Sequence, residues 1–474
     1  MENKNFANWV RYSVAFRAGV VGILALLLLL PVSMVRNLIN QRESTKKTAE
    51  AEISQKWGGQ QTIAGPVLSV PYKRYAVNTA GERVATTRYA HFLPEKLSIN
   101  AEVKPQVRSR GIFDAVVYSS EINFSGKFAR PNIKNLGIKE EEADWSKAFV
   151  SVGISDTRGI EENIKIGWNG SAIGFEPGIP VDDVIRDKAR NYDMEPYYGK
   201  REQIRLRAIP PPIENTGKSS GISARLPLNK GAGEYQFSFK LNLAGSRDIQ
   251  FVPVGRTTEI FLKSDWNTPS FSGAFLPDRR TVTENGFDAF WKILDLNRGY
   301  PQAWLGNAYN IYPTASGVKL LITVDDYKKT QRSAKYALLI ISLTFLVFFF
   351  SEVFSKKRIH PIQYILVGLA IVLFYVLLVS ISEVAGFGWA YLTSSAATIG
   401  LITLYSRSIL VNGKTALMQG AILAFLYLFI YIILQLEDYA LLMGSLLLFS
   451  ILATVMYLSR KIDWYAVEEG MRNN

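Results

Sequence analysis

The chain has 474 residues, 48% apolar and 20% charged, with the apolar residues strongly clustered, which is the profile of a membrane protein. Cysteine is absent and histidine occurs only at His91 and His360, which excludes disulfides, thiolate metal sites and cysteine nucleophiles and leaves almost nothing for a multi-histidine metal site. The net charge of +13 comes from basic residues that flank apolar runs or are spread through a polar region without a basic block, so a nucleic-acid partner is not expected. No cofactor is expected either.

The first apolar run, AGVVGILALLLLLPVSMV, follows Lys4, Arg11 and Arg17 and has the basic start of a signal peptide. No small-x-small site closes it, so residues 1–35 read as a cytoplasmic N-terminus and a retained first span, long enough to cross ~30 Å of hydrocarbon. Residues 36–59, RNLINQRESTKKTAEAEISQKWGG, contain helix formers, no proline and a closing Gly-Gly, and read as a polar helical stalk.

From Gly65 the apolar period becomes two. In EYQFSFKLNL, residues Tyr235, Phe237, Phe239, Leu241 and Leu243 alternate with polar neighbours. Leu68, Val70 and Tyr72, then Ile164, Ile166 and Trp168, then Thr258, Ile260 and Leu262, then Val318, Leu320, Ile322 and Val324 repeat the pattern. Such strands need a second layer over their apolar face, which predicts a mainly antiparallel β-sandwich over residues 60–335. The proline-rich stretch from about 176 to 221 predicts a surface insertion that divides this region into two lobes. Its GKSS is not a phosphate loop, because Pro212 stands where that loop needs glycine.

Five further spans follow in residues 336–459: Tyr336 to Phe354, Ile362 to Ser382, Gly386 to Tyr405, Thr415 to Gln435 and Tyr439 to Ser459, with a tail of 460–474. One set of loops carries Lys356, Lys357 and Arg358, then Arg407 and Lys414, then Arg460 and Lys461. The opposite loops carry Glu383 or Glu437 with Asp438 and no basic residue. The positive-inside rule puts both termini in the cytoplasm and the segment from Arg36 to Lys335 outside, in the periplasm of a bacterium. The expected fold class is therefore a polytopic α-helical membrane protein. Six transmembrane helices, one N-terminal and five C-terminal, enclose a large periplasmic β-domain between the first two.

The strings WGGQQTIAGPVLSVPY, SRDIQFVPVGRTTEI, PSFSGAFLPDRR, RSAKYALLIISLTFLVFFFSEV and HPIQYILVGLAIVLFYVLLVSISE resemble the CreD-type inner-membrane proteins, a family of Gram-negative cell envelope integrity proteins. The resemblance covers nearly the whole chain. It implies an inner-membrane location and a role in envelope integrity and stress response, and brings no catalytic residue or substrate. Where the family pattern leads one to expect Ser-Glu-His, this chain has Ser382, Glu383 and Val384.

The densest polar stretch is SDWNTPSFSGAFLPDRR, Ser264 to Arg280. Asp265, Trp266, Asn267 and Pro269, then Pro277 and Asp278, have turn chemistry, and Arg279 and Arg280 are expected to pair with Asp265 or Asp278 across the corner. The functional alternative is a site for an anionic or sugar-bearing ligand, held by arginine forks and the Trp266 face, on which Arg247, Asp248 and Asn297 converge. Paired carboxylates for glycoside cleavage, Asp265 with Asp278 or Asp325 with Asp326, have nothing to fix their separation. His91 reads as a strand-edge residue and His360 as a helix-start cap. Glu352, Glu383, Glu437 and Asp438 fall at span ends, which favours interfacial anchoring over ion translocation.

The function expected from these features is non-enzymatic: an envelope protein anchored in the lipid bilayer whose outer domain binds a protein, lipid or glycan of the envelope. The alternatives are a small transporter or lipid-handling protein acting through the helices, and a periplasmic hydrolase directed at murein.

Overall fold

Alternation along Glu234–Ser246 buries Tyr235, Phe237, Phe239, Leu241 and Leu243 and exposes Glu234, Gln236, Ser238 and Lys240. In the computed structural model, which describes residues 14–77, 83–185, 220–226, 228, 233–321, 326–355, 359–410, 413–436 and 439–460, this strand belongs to one of two large sheets. The chain divides into two compact units, Thr48–Thr323 and a second made of Met1–Lys47 with Val324–Asn474.

The chain enters through α1 (Val14–Leu27) and α2 (Leu29–Trp57). The irregular turn at Leu28 precedes Pro31, which has no N–H to give to the carbonyl of Leu27. The strands follow: β1 (Gln61–Val77), β2 (Arg83–Phe92), β3 (Lys96–Arg110), β4 (Phe113–Ala129), β5 (Phe149–Ile154), β6 (Lys165–Trp168), β7 (Ser171–Gly174), β8 (Glu176–Pro177), β9 (Gly221–Arg225), β10 (Glu234–Ser246), β11 (Asp248–Val252), β12 (Thr257–Ser264), β13 (Pro269–Gly273), β14 (Arg279–Thr283), β15 (Gly286–Leu294), β16 (Ala303–Leu305) and β17 (Ser316–Leu320).

Sheet A has the order β13-β17-β11-β1-β5-β9-β8, with β2 on β1 and β16 on β2. Sheet B has the order β14-β15-β12-β3-β4-β10-β6-β7. Both sheets are mixed: β1 runs parallel to β11, and β3 parallel to β12, while the other pairings are antiparallel. One apolar core joins the sheets. Phe124 of β4 stacks on Phe239 of β10 at 4.5 Å and meets Phe251 of β11 edge-on at 6.4 Å.

The expected division into two lobes is not found. Strands from before and after the 176–221 stretch alternate within each sheet, β4 beside β10 and β5 beside β9, so neither half could cover its own apolar face. Nor is the beginning of that stretch a surface loop: Glu176–Pro177 pairs with β9, and Ile179, Val184 and Ile185 are buried. Residues 186–219, including most of GKSS, and Ile322, Val324 and Asp325 lie outside the described residues.

The second unit continues with α3 (Asp326–Lys335), α4 (Ala337–Ser355), α5 (Pro361–Leu410), α6 (Gly413–Gln435) and α7 (Ala440–Ser459). Among the described residues four helices are long and apolar enough to cross a membrane, Phe16–Trp57, Ala337–Phe354, Pro361–Ile409 and Gly413–Gln435, and Leu442–Tyr457 is a shorter apolar helix. Within α5 the helix breaks at Gly386, whose φ of 78° and ψ of 162° are extended, positive-φ backbone open to glycine. The two arms fold back on each other, so that Phe374 rests edge-on against Tyr391.

Candidate functional site

Pairing of β1 with β2 sets Ser69 directly opposite His91, and pairing of β1 with β5 sets Val67 opposite Ser151. Leu68 and Val70 take the alternate face of β1. His91 is therefore not at a strand edge: β2 lies between β1 and β16, with Trp304 on the other side of the histidine, and the ring is 1% exposed. Ser69 Oγ lies 2.9 Å from His91 Nδ1, and His91 Nε2 lies 3.3 Å from Asp183 Oδ2. A neutral ring satisfies both contacts if Ser69 donates to Nδ1 and Nε2–H donates to the carboxylate.

This serine, histidine and aspartate are the residue types of acyl transfer, but the site is closed. Asp183 belongs to the strap Ile179–Ile185, which lies over Ser69, His91 and Ser151. The strap sits close because Gly153 and Gly221 lack side chains: a Cβ at Gly153 would stand 2.5 Å from Ile185, and one at Gly221 2.6 Å from Ile179. The remaining cavity, lined by Val67, Ser69, His91, Ser151 and the strap, is about 10 Å³. That is room for about one water, not for an ester or a glycan. Ser69 and Asp183 carry no local sequence signature, since they meet His91 only through strand register and the strap.

A larger opening lies along the same strand. Tyr72, Lys73, Arg74 and Tyr75 of β1, Leu136, Gly137, Ile138 and Glu142 of the following loops, and Leu305 of β16 line a groove of about 590 Å³. Asp144 N–H donating to the Pro71 carbonyl at 2.9 Å holds the loop against β1. Neither Lys73 nor Arg74 has an ion-pair partner among the described residues. The string PYKRY, two cations between tyrosines, is the signal that could have singled this groove out.

The residues expected to converge on the Ser264–Arg280 corner do not. Asp265 follows the Ser264 end of β12 and Asn297 follows the Leu294 end of β15, which pairs with the Thr257 end of β12. At ~3.3 Å per residue this puts them roughly 25 Å apart. Asn297 instead accepts from Leu294 N–H at 3.1 Å. The expected ion pairs are also absent among the described residues. Arg279 lies over Phe290 at 4.7 Å and Arg280 over Phe271 at 5.6 Å, and Asp278 accepts from Lys292 N–H at 2.6 Å. Exposed carboxylates give a guanidinium little, whereas an aromatic face packs its plane. Asp265 is exposed, and Trp266 donates its indole N–H to the Leu321 carbonyl at 3.1 Å.

Asp248 begins β11 of sheet A, and Arg247 is the bend that joins it to β10 of sheet B. Arg247 adopts a φ of 63° between β10 and β11 and pairs with Glu50 at 3.6 Å. Asp248 is 7% exposed. Burial pushes its carboxyl up to about 6, against the pull of Lys319 and Arg247. Its Oδ1 has no hydrogen-bond partner among the described residues, and its backbone carbonyl accepts from Tyr118 OH at 2.7 Å. Burial, with the Asp248 charge adding to it, raises the Tyr118 phenol well above its ordinary value, so Tyr118 stays a donor.

In the helical unit, Glu352 lies near the end of α4 and is 4% exposed, accepting from Arg17 at 3.1 Å and from Tyr364 OH at 3.0 Å. A charge placed among apolar helices persists only with such partners. Glu383 accepts from Tyr327 OH at 2.8 Å, with Arg42 at 3.7 Å. His360 Nδ1 accepts from Ile362 N–H at 3.3 Å, at the start of α5. Glu437 and Asp438 lie outside the described residues. Among the described residues no group of three or more His, Asp or Glu is placed to hold a metal ion.

A family model described as Inner membrane protein CreD matches residues 13–465 of this chain. Inner membrane protein CreD of Escherichia coli (strain K12) is 30% identical to it over 450 residues, which are 93% of this chain and 91% of that protein.

Proposed function

The chain belongs to the CreD family of inner-membrane proteins, and from that premise we propose that it is a non-enzymatic cell envelope integrity protein with roles in envelope stress. Its β-unit faces the periplasm and binds a carboxylate- or phosphate-bearing envelope component, and its helices anchor it in the bilayer. The topology has six spans with both termini cytoplasmic. Support comes from α5, whose 50 residues would measure ~75 Å as one helix, more than twice the ~30 Å hydrocarbon core, and which folds back at Gly386. Two crossings by α5, with those of the N-terminal helix, α4, α6 and α7, make six.

The observation that carries the binding reading is the groove of about 590 Å³ beside Lys73 and Arg74, where two cations without ion-pair partners among the described residues stand between tyrosines. Cations suit a phosphate or carboxylate, tyrosine faces suit a sugar or lipid body, and Leu136, Ile138 and Leu305 give an apolar floor. The non-enzymatic reading is supported by the closed state of the Ser69, His91 and Asp183 cluster. The test is recovery of the full-length protein from native membranes followed by lipid and muropeptide analysis. The wild type is expected to retain an anionic component that Lys73→Ala with Arg74→Ala loses at an unchanged melting temperature. Equal recovery with both proteins would overturn the assignment.

A further inference from the structure

The helical unit holds a set of polar side chains that anchoring does not use. The second arm of α5 buries Tyr391, Ser394, Ser395, Thr398 and Ser406, and α6 buries Gln419, Gly420 and Tyr427 on one face. Some of these groups are satisfied within the protein. Tyr391 OH donates to the Tyr427 carbonyl at 2.8 Å, Ser395 to the Leu392 carbonyl at 3.0 Å and Ser406 to the Ile402 carbonyl at 2.8 Å.

Others are not. Ser394 Oγ, Thr403 Oγ1, Tyr427 OH, both amide atoms of Gln419, and Tyr375 OH on the first arm have no hydrogen-bond partner among the described residues. Gln419 is 0% exposed, and Tyr375, Ser394 and Tyr427 are each 1% exposed. They belong to one interface. A Cβ at Gly420 would stand 2.5 Å from Thr403 Oγ1, which places Thr403 beside the Gln419–Gly420 step, and Phe374 meets both Tyr427, at 4.9 Å, and Tyr391, at 5.5 Å.

A polar group without a partner is costly in a protein interior and more so in hydrocarbon, and an amide has both donors and acceptors to satisfy. Several such groups on one interface would oppose packing unless something bonds to them. The hydroxyls and the amide named here are themselves uncharged, and Arg36, whose charge reaches Tyr375, donates to the Ala334 carbonyl, so these groups offer no counter-charge to a metal ion or an anion. They are hydroxyls and an amide, which both give and accept hydrogen bonds. The close approach at Gly420 leaves no space for a large guest.

We propose that the interface between the second arm of α5 and α6 is a charge-free polar path that binds water in file and passes protons through the bundle. In each hop a water or hydroxyl oxygen accepts a proton and releases its own to the next oxygen. No electron is transferred, and the Gln419 amide orients the file without ionising. This activity is separate from ligand binding by the β-unit and does not rest on it.

The experiment reconstitutes the full-length protein in vesicles with an entrapped pH-sensitive dye and imposes a potassium diffusion potential. Proton entry is expected to exceed that of protein-free vesicles and to be lost in Tyr427→Phe and in Gln419→Leu. Hydroxyl-radical footprinting of the wild type, which needs no variant to fold, is expected to label Tyr375 and Tyr427 despite their burial. A wild type no more permeable to protons than empty vesicles would overturn the proposal. So would unlabelled tyrosines, or a Tyr427→Phe protein with a raised melting temperature and unchanged flux, since a hydroxyl bonded to nothing is better removed.

Discussion

Phe374 and Tyr391 lie 17 positions apart within α5, yet their rings are 5.5 Å apart and nearly perpendicular. In a straight helix the same separation would be ~25 Å at 1.5 Å per residue. The chain must therefore reverse between them, and it does so at Gly386. A reporter active only in the periplasm is accordingly expected to work when fused after Lys200 and to fail after Lys414 or at the C-terminus. A working C-terminal fusion would reverse the proposed topology.

Gly386 itself can be tested. A side chain on a backbone with φ of 78° and ψ of 162° is strained in a region that glycine alone occupies readily, so Gly386→Ala, which adds little bulk, and Gly386→Val are both expected to lower the melting temperature of the full-length protein in detergent. An alanine variant as stable as the wild type would show that bulk, not backbone conformation, decides the position.

Asp248 should give the β-unit a pH-dependent stability of unusual sign for a carboxylate. Its folded pKa of about 6 lies above the ordinary 3.8, so the folded protein binds more protons than the unfolded one between those values. The contribution is full below the unfolded pKa and is lost as pH rises through about 6. Two pKa units correspond to roughly 3 kcal/mol at most. Asp248→Asn is expected to be more stable than wild type at pH 7 and to flatten the profile across this window, as read by denaturant unfolding. A variant less stable at every pH would show that the carboxylate makes a contact worth more than its burial costs.

At the Ser264–Arg280 corner, Arg279→Ala and Arg280→Ala are expected to lose about 0.5–1 kcal/mol each, the scale of an exposed cation–π contact. Asp278→Ala, which strips the acceptor from Lys292 N–H, should lose about 0.5–1.5 kcal/mol. Function should follow stability. Stable arginine variants without envelope function would make the corner a ligand site after all.

The pair of Arg17 and Glu352 makes a different prediction. Glu352→Gln removes the charge that the part-buried Arg17 guanidinium faces at 3.1 Å and is expected to destabilise the helical unit by about 1.5–3 kcal/mol, whereas Arg17→Met with Glu352→Met should recover most of the loss. Melting temperatures of the three proteins in detergent decide this, and a double variant as unstable as the single one would contradict it.

Ser69→Ala and His91→Gln are expected to keep envelope function while losing stability, about 1–3 kcal/mol for each buried group left unpaired. A fluorophosphonate probe should not label Ser69 beneath the strap. Labelling of the wild type that Ser69→Ala abolishes would reopen the hydrolase reading.

The membrane character, the apolar helices and the large β-rich region were legible in the sequence because each rests on short-range pattern: uninterrupted apolar runs for the helices, and period-two alternation, as in Tyr235 to Leu243, for the strands. Turn chemistry likewise marked where the chain leaves β12. Such patterns say which face of an element is buried, not what it is buried against. Sheet order is a matter of pairings between distant strands, and it alone separated Asn297 from Asp265, wove the strands on either side of residues 186–219 into both sheets, and moved His91 from an edge to an interior position. The same long-range register brought Ser69 and Asp183 to the two nitrogens of one imidazole, buried Glu352 beside an arginine more than three hundred positions away, and gathered Gln419, Thr403 and Tyr427 on one interface. No local signal encodes these meetings, because the free energy that selects them comes from covering the apolar faces of whole sheets and helices together. Polar side chains are carried into contact by that packing and then hold, or fail to find, the partners it leaves them.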